Sequence, residues 1–268
     1  MIERAEVVLD AIRANAGLEV WYRRALQSAI REMAKSVLLH VRAAYQQADK
    51  KLSVGFAQDG PADASSTLRR ALRKWGRRSA GKFDDKAQEM AKRFARRART
   101  DIDRRFGNAL KKAGFSIDFK ATAAMKEAYQ ATIAEQVNLI KSIPAQFLKD
   151  VQSQVWLSVM KGADMGALTR SIQGSYGVAH RRAAFIARDQ TNKARAIMEE
   201  ARRSELGIEQ AVWVHSGGGK EPRPTHLSMA GKRYQIKQGM WDSAINKYVW
   251  PGTEPNCRCV SRSVIPGL

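Results

Sequence analysis

Apolar side chains recur every three or four residues through the first part of the chain, and this spacing predicts helices. A long helix is expected from Ala5 to Ala48, with Gly17 as a candidate early break. Its apolar face would consist of Leu18, Tyr22, Leu26, Ile30, Met33, Val37 and Val41. The stretch from Ser53 to Ser66 is polar and contains glycine, proline and serine. It therefore predicts a loop, and Thr67 is a suitable start for the next helix.

A second helix is expected between Leu68 and Lys112. Its apolar stripe repeats every four residues and consists of Met90, Phe94, Ala98, Ile102, Phe106 and Leu110. Arg93, Arg97 and Arg104 fall together on another side of this helix. Gly114 predicts its end, because glycine readily adopts the left-handed backbone that closes many helices.

Two further helical segments follow. Apolar residues again recur at helical spacing from Ala121 to Lys161, and Pro144 should kink or terminate this helix near Ile143. A run of small residues over 162–177 separates it from a helix expected from Ala179 to Arg203, with Gly207 as its cap. The inward residues of this last helix would be Ala183, Ile186, Gln190, Ala194 and Ile197.

The periodicity changes from helical to alternating after Gly207. Val212 and Val214 alternate with Trp213 and His215, which predicts a strand. A turn over 216–219 and strands near Tyr234 and from Cys257 to Ile265 are also expected. The glycine run before Lys220 lacks the spacing of a phosphate-binding loop, and Pro222 and Pro224 argue against a helix after it.

These patterns predict an α+β fold made mainly of long α-helices, with a small C-terminal α+β module containing a few short antiparallel strands. We expect three consecutive regions: a basic helical region over 1–115, a helical connector over 116–178, and the C-terminal module over 179–268. A chain of 268 residues with 44% apolar content is long enough to bury a core in one or two domains.

Charge adds a candidate partner. The chain contains 47 lysines and arginines against 26 acids, a formal net charge of +21. Such an excess concentrates nearby polyanions, so nucleic acid is the first candidate. No apolar run approaches the roughly 18–20 residues needed to span a bilayer, and we expect a soluble, unexported protein with no membrane partner.

The densest charge lies between residues 69 and 78, where six cations and no acid surround Trp75. A charge run is more often a solvated helix face than a binding site, but an ordinary soluble surface would mix both signs. Guanidinium groups match phosphate oxygens without reading bases, so double-stranded DNA without sequence specificity is the expected ligand. The residues expected to face DNA are Arg69, Arg70, Arg73, Lys74, Arg77, Arg78, Arg93, Arg96 and Arg97.

Four short motifs follow one another in the last ninety residues: ARDQTNKA, GIEQAVWVH, RPTHLSMAGKRY and WPGTEPNCRC. Together they resemble the phage Mu F-like family, also described as the SPP1-type head morphogenesis family, over about residues 158–266. The residues that carry the resemblance, and that are expected to hold the module together, are Arg188, Asp189, Trp213, Arg223, His226, Gly231, Pro251, Cys257, Arg258 and Cys259. The acid Asp189 stands one position earlier than is usual in the family.

The resemblance implies a non-enzymatic minor capsid protein of a tailed phage, without catalytic residues or a cofactor. It would lie in the capsid interior or at the portal vertex, and in the host cytoplasm during assembly. Its implied partners are the portal protein, the inner capsid and packaged DNA, in head assembly, genome packaging or genome ejection. A packaging factor that binds DNA but no capsid is a separate hypothesis.

His226, Cys257 and Cys259 support a rival interpretation, a zinc site in a DNA-binding protein or a DNA-acting enzyme. Paired zinc cysteines are usually two to four residues apart, so these two would require a bend, and a fourth ligand would have to be His215, Asp189 or water. A thiol enzyme using Cys259, His226 and Asp189 is formally complete but lacks a flanking motif. Small buried side chains around a hydrogen-bonded His226 are the simpler interpretation.

Overall fold

A computed structural model describes residues 6–53, 61–160, 165–217 and 221–266. Within these ranges the chain forms five helices and six strands. In chain order they are β1 (Val7–Val8), α1 (Ala16–Ser53), α2 (Pro61–Lys112), α3 (Ala123–Met160), α4 (Met165–Glu205), β2 (Gln210–Val214), α5 (Pro224–Met229), β3 (Arg233–Gln235), β4 (Met240–Asp242), β5 (Lys247–Val249) and β6 (Val260–Ile265). The α+β class with long helices and short antiparallel strands is confirmed.

The start of α1 differs from the prediction. Val7 and Val8 belong to a strand, and the helix begins at Ala16 rather than at Ala5. Asn15 explains the new start, because its side-chain oxygen accepts a hydrogen bond from the backbone N–H of Leu18 at 3.1 Å. This is the usual N-cap interaction of asparagine. Gly17 lies in the first turn of the helix and does not break it.

Two other predicted boundaries, the starts of α2 and α4, were wrong. Both predictions rested on the local composition of the chain. Helix α2 begins at Pro61, inside the predicted loop and ahead of Thr67, since proline is well suited to a first helical position. Residues 54–60 of that loop lie outside the described chain. Helix α4 begins at Met165, so most of the small-residue run expected to separate two helices is itself helical.

Helix α3 continues through Pro144, so the predicted termination near Ile143 does not occur. A proline inside a helix removes one backbone hydrogen bond. The cost is offset by packing, because Ile140, Ile143 and Phe147 on either side of the proline are all buried. Likewise, Pro224 opens the short helix α5 where the prolines had argued against a helix.

The chain divides into two compact units, each assembled from separated segments. The first, here called the sheet unit, comprises Met1–Trp21, Ala91–Glu135 and Ala187–Leu268. The second, the helical unit, comprises Tyr22–Met90 and Gln136–Ile186. The three consecutive regions expected from the sequence stay a prediction.

The sheet unit contains a four-stranded sheet in the order β1-β6-β2-β3, with antiparallel neighbours throughout. Strands β4 and β5 form a separate antiparallel pair. The alternation predicted for β2 is present, since Ala211 and Trp213 are fully buried. The helices of the sheet unit also contribute buried residues, including Phe94, Ile102 and Phe106 of α2 and Ala194 and Met198 of α4.

The helical unit buries apolar side chains from parts of all four long helices, among them Trp75 of α2, Ile140 of α3 and Ile172 of α4. The α1 stripe contributes Tyr22, Leu26 and Ile30, and the hydroxyl of Tyr22 donates to Oε1 of Gln136 at 2.8 Å. Trp75, at the centre of the predicted basic run, is only 4% exposed and donates to Oγ of Ser36 at 2.8 Å. It is therefore a core residue. Within the described part of the chain, no helix combines the length and apolar character needed to cross a membrane.

Gly114 ends α2 as predicted, with a φ of +89°. The backbone N–H of Phe115 bonds to the carbonyl of Leu110 at 2.9 Å, and that of Gly114 bonds to Lys111 at 3.1 Å. These two bonds are those of the helix-closing motif that requires a left-handed residue.

We expect Gly114→Ala to lower the free energy of unfolding by about 1 kcal/mol, because a Cβ disfavours this backbone conformation even where there is space around it. The control is Gly107→Ala in the interior of the same helix, where a Cβ would make ordinary contact with Phe119 at 3.5 Å. This control should raise stability by about 0.5–1 kcal/mol. Denaturant unfolding measures both, and equal effects of the two substitutions would contradict the assignment.

Candidate functional site

An open cleft of about 790 Å³ in the sheet unit collects most of the motif residues. Its lining consists of Arg188, His215, Ser216, Glu221, Pro222, Arg223, His226, Asn256, Cys257, Arg258 and Cys259. Six of the ten residues that carried the sequence resemblance are in this lining. Of the other four, Asp189 and Trp213 contact the lining residues Asn256 and His226. Gly231 bonds to Trp213 and Pro251 bonds to Arg195.

The imidazole of His226 and the two thiols converge in the cleft. Nδ1 of His226 lies 3.5 Å from Sγ of Cys257 and 3.8 Å from Sγ of Cys259. One ligand atom from each of the three residues lies within 4.8 Å of the other two. All three side chains are at most 3% exposed. The structure therefore brings together three residues that the sequence could only associate by type.

The two cysteines were expected to lie in a strand, where their convergence would require a bend. Strand β6 begins at Val260, and residues 257–259 precede it. The backbone turns just before them: Asn256 has a φ of +61°, and the N–H of Cys257 bonds to the carbonyl of Glu254 at 2.9 Å. This is the bend that convergence of the thiols requires.

The carboxylate beside His226 is Asp242, not the predicted Asp189. Oδ2 of Asp242 lies 3.3 Å from Nε2 of His226, and the Asp242 side chain is 1% exposed. Asp242 ends strand β4, and its other oxygen accepts the N–H of Ala244 at 3.0 Å. The sequence analysis missed it because β4 is three residues long and shows too little alternation to predict a strand.

Asp189 instead shapes the loop that carries the cysteines. Its Oδ1 accepts the backbone N–H of Asn256 at 2.6 Å, and its Oδ2 pairs with Lys193 at 3.1 Å. The carboxylate thus holds the left-handed residue next to Cys257. Arg223 contributes to the same loop, donating to the carbonyl of Pro255 at 2.8 Å.

Trp213 and Gly231 support the other side of the histidine. The Trp213 ring packs edge-on against His226 with centroids 5.2 Å apart. Gly231, with a φ of +79°, donates its N–H to the carbonyl of Trp213 at 2.8 Å. A glycine at this position allows the chain after α5 to turn back toward β2.

The two thiols titrate as a pair. A hydrogen bond from the Cys259 thiol is the largest effect on Cys257 and lowers its pKa to about 4, assisted by His226 and by the backbone N–H groups of Cys259 and Gly252. The same interaction with Cys257, followed by burial, raises the pKa of Cys259. The hydrogen bond between the two thiols therefore moves their pKa values in opposite directions.

A buried cluster on α4 fixes the segment that carries the cysteines. The carboxylate of Glu199 pairs with Arg195 at 2.7 Å and also with Arg203, and all three residues are at most 4% exposed. Arg195 donates from Nη2 to the carbonyls of Pro251 at 2.9 Å and Cys259 at 3.1 Å. We call Arg195, Glu199 and Arg203 the α4 charge cluster.

Arg203 extends the α4 charge cluster to strand β6. It donates to the hydroxyls of Ser263 and Ser261, each at 2.9 Å. Gly252 fits closely against Arg195: its φ is +91°, and a Cβ there would lie 2.4 Å from Nη2 of Arg195. The sequence analysis did not predict this cluster, because its three residues entered only the total charge of the chain.

The predicted DNA-facing cations divide into three groups. Arg93, Arg96 and Arg97 are exposed on α2 within the sheet unit, and Arg70, Arg73 and Lys74 are exposed on α2 within the helical unit. The side chains of Arg69, Arg77 and Arg78 lie outside the described part of the structure. None of the six described cations forms an ion pair with a described carboxylate, whereas Arg104 pairs with Asp101 at 2.9 Å.

Arg93 and Arg97 also contact an aromatic ring. Their guanidinium carbons lie 5.3 Å and 4.2 Å from the centroid of Trp21, which is within the range of cation–π attraction. Together with Arg96 they stand at positions i, i+3 and i+4, so they share one face of the helix. We call these three residues the α2 arginine face.

We expect Glu199→Gln to lower the free energy of unfolding by about 3 kcal/mol or more, because it leaves two buried arginines without a counter-charge. Glu200→Gln is the matched control. Burial raises the pKa of Glu200 above 4.5, so its ionised form disfavours the folded state. That unfavourable contribution is absent in acid and develops as pH rises past 4.5, so the control should gain stability relative to wild type toward neutral pH.

Denaturant unfolding of wild type and both variants at acid and neutral pH measures these effects. Equal stability of Glu199→Gln and wild type at neutral pH would show that the α4 charge cluster does not support the fold.

Comparison with known proteins finds a family match over a range that includes the cleft residues. The sequence model of the family described as phage Mu protein F like protein matches residues 149–262. An uncharacterized protein of Haemophilus influenzae (strain ATCC 51907 / DSM 11121 / KW20 / Rd) is 27% identical over 258 residues, covering 95% of this chain and 55% of that protein. The chain thus spans about half the length of this curated relative. No solved structure matches the chain.

The matched range contains helix α4, the cleft, both cysteines and the α4 charge cluster. Residues 149–262 of this chain are therefore similar to the family described as phage Mu protein F like protein.

Proposed function

We propose that this chain is a non-enzymatic minor capsid protein of a tailed phage, which lies beside the portal and the packaged DNA and acts in head assembly, packaging or ejection. The observation that carries the proposal is the α2 arginine face. These exposed guanidinium groups belong to the same compact unit as the family motifs and have no described carboxylate partner.

Phosphate is the ligand that this face suits best. Guanidinium groups on one helix side can each donate two hydrogen bonds to phosphate oxygens. Stacking on Trp21 restricts the orientation of Arg93 and Arg97, which lowers the entropy lost on binding. Contacts of this kind position a protein on DNA without reading its sequence. Packaged duplex DNA of any sequence would meet that requirement.

A structural role rather than a catalytic one is favoured by how the motif residues are used. The motif residues Asp189 and Arg223, together with Arg195 of the α4 charge cluster, form hydrogen bonds with backbone groups of the loop between Pro251 and Cys259. Their contacts shape a loop and leave few of their polar groups for a substrate. The rival DNA-acting enzyme would need His226 or a cysteine to reach a scissile bond, and each of these residues is at most 3% exposed although it lines the cleft.

Replacement of the α2 arginine face, Arg93→Gln with Arg96→Gln and Arg97→Gln, should weaken duplex binding and flatten its salt dependence. Because each lost phosphate contact removes about 0.9 from the slope of log affinity against log salt, we expect the slope to fall by about 2–3. Fluorescence anisotropy with two unrelated duplexes, over a series of salt concentrations, measures the slope and tests sequence independence.

The control variant replaces Lys126, Lys232 and Lys237 with glutamine, since all three are exposed in the same unit but lie on other elements. It removes the same charge and should change the slope less. An equal change in both variants would assign the binding to net charge instead of this face, and thermal melting of both checks that the fold is kept.

Residence in the particle is a separate expectation. Mass spectrometry of purified virions of the encoding phage should detect the chain at low copy, and crosslinking should join it to the portal protein. Salt-sensitive DNA binding without particle residence would favour a packaging factor that contacts no capsid. Turnover of nucleic acid by the purified chain, lost in Cys259→Ala, would favour the enzyme and reject the structural role.

A further inference from the structure

The convergence of His226, Cys257 and Cys259 has no part in the proposed DNA contact. Two thiols and an imidazole nitrogen converge in a buried pocket, and behind the imidazole the Nε2 atom of His226 lies 3.3 Å from Oδ2 of the buried Asp242. Packing of a small core does not require such polar atoms. A cation bound between the two thiols and Nδ1 would account for their convergence.

The interatomic distances fit one class of ion. A tetrahedral zinc ion with bonds of about 2.1 Å to nitrogen and about 2.3 Å to sulfur places its nitrogen and sulfur ligands about 3.6 Å apart. The observed separations are 3.5 Å and 3.8 Å from Nδ1 of His226 to the two sulfurs. We infer that Nδ1 of His226 and the thiolates of Cys257 and Cys259 bind a zinc ion.

Asp242 completes the arrangement. Metal binding at Nδ1 leaves the imidazole proton on Nε2, where it faces Oδ2 of Asp242 at 3.3 Å. A carboxylate on the far nitrogen orients a metal-bound histidine and raises its basicity.

The chemistry of the donor atoms also selects the ion. Soft sulfur donors with one imidazole select zinc over calcium or magnesium, which prefer oxygen.

The fourth coordination position faces the cleft, because all three ligand residues line it. Among the described residues, no other histidine, cysteine or acid joins the cluster. Asp189 is bonded to Asn256 and Lys193, and Nδ1 of His215 accepts the N–H of Gly217 at 3.1 Å. Water therefore takes the fourth position, and the ion joins helix α5 to the segment before β6.

The test is the metal content of the full chain, purified without a metal-binding tag and exchanged into metal-free buffer. Elemental mass spectrometry should find one zinc ion per chain. The double variant Cys257→Ser with Cys259→Ser, and separately His226→Gln, should lose it. His215→Gln, which changes the other histidine of the cleft, should keep it, and loss of zinc there would contradict the three-residue site.

Measurements on the wild-type chain guard against variants that fail to fold. Cobalt substitution should give the near-ultraviolet absorption of cobalt–thiolate bonds. A thiol reagent should modify both cysteines only after a strong chelator is added, and the chelator should lower the melting temperature. These measurements do not depend on DNA binding. A negative result would therefore reject the zinc site without rejecting the proposed function.

Three results would overturn the site. They are a chain free of zinc after purification and after incubation with zinc, thiols that react equally with and without chelator, and an intact mass lower by two hydrogens from a Cys257–Cys259 disulfide.

Discussion

The carboxylate of Glu199, buried between the guanidinium groups of Arg195 and Arg203, is the interaction on which the cleft depends. Spacing of four residues on α4 places both arginines against one acid. Other donors of the two arginines reach the carbonyls of Pro251 and Cys259 and the hydroxyls of Ser261 and Ser263. An apolar trio could fill the same volume, but it would leave those carbonyls without donors, which is costly for buried groups.

Cys259 links this cluster to the candidate metal site. Its carbonyl accepts from Arg195, while its sulfur lies 3.8 Å from Nδ1 of His226. The position of the thiol is therefore set from α4 through the backbone, and the position of the imidazole is set by Asp242 and Trp213 from two different strands. The short strands and the short helix α5 bury few apolar side chains, so polar contacts and the proposed ion have to define their geometry.

The long helices could be predicted from the sequence because their stripes repeat over many turns, and Gly114 and Gly207 marked two ends correctly. The errors fall where a single local interaction decides: the Asn15 cap, Pro61 as a first helical residue, and a two-residue strand at Val7. In the site, residue types and order identified His226 and both cysteines. Asp242 could not be identified, since only the folded β4–β5 pair brings it to the histidine. The sequence showed that the two cysteines need a bend to converge, but it could not predict the one at Asn256, because that residue is held by the distant Asp189.

Net charge was the strongest functional signal in the sequence, and the structure shows that it combines two kinds of cation. Arg195, Arg202 and Arg203 are at most 4% exposed and are paired with Glu199, Asp103 and Glu205, so they hold the fold together and have no charge to offer a ligand. The α2 arginine face is exposed and has no described carboxylate partner. Because ion pairs that are shielded from solvent release no counterions on binding, only the second kind can contribute to a salt-dependent affinity. The position of the unpaired cations therefore determines where this protein could bind nucleic acid. The formal charge of +21 overstates how many cations are available for that contact.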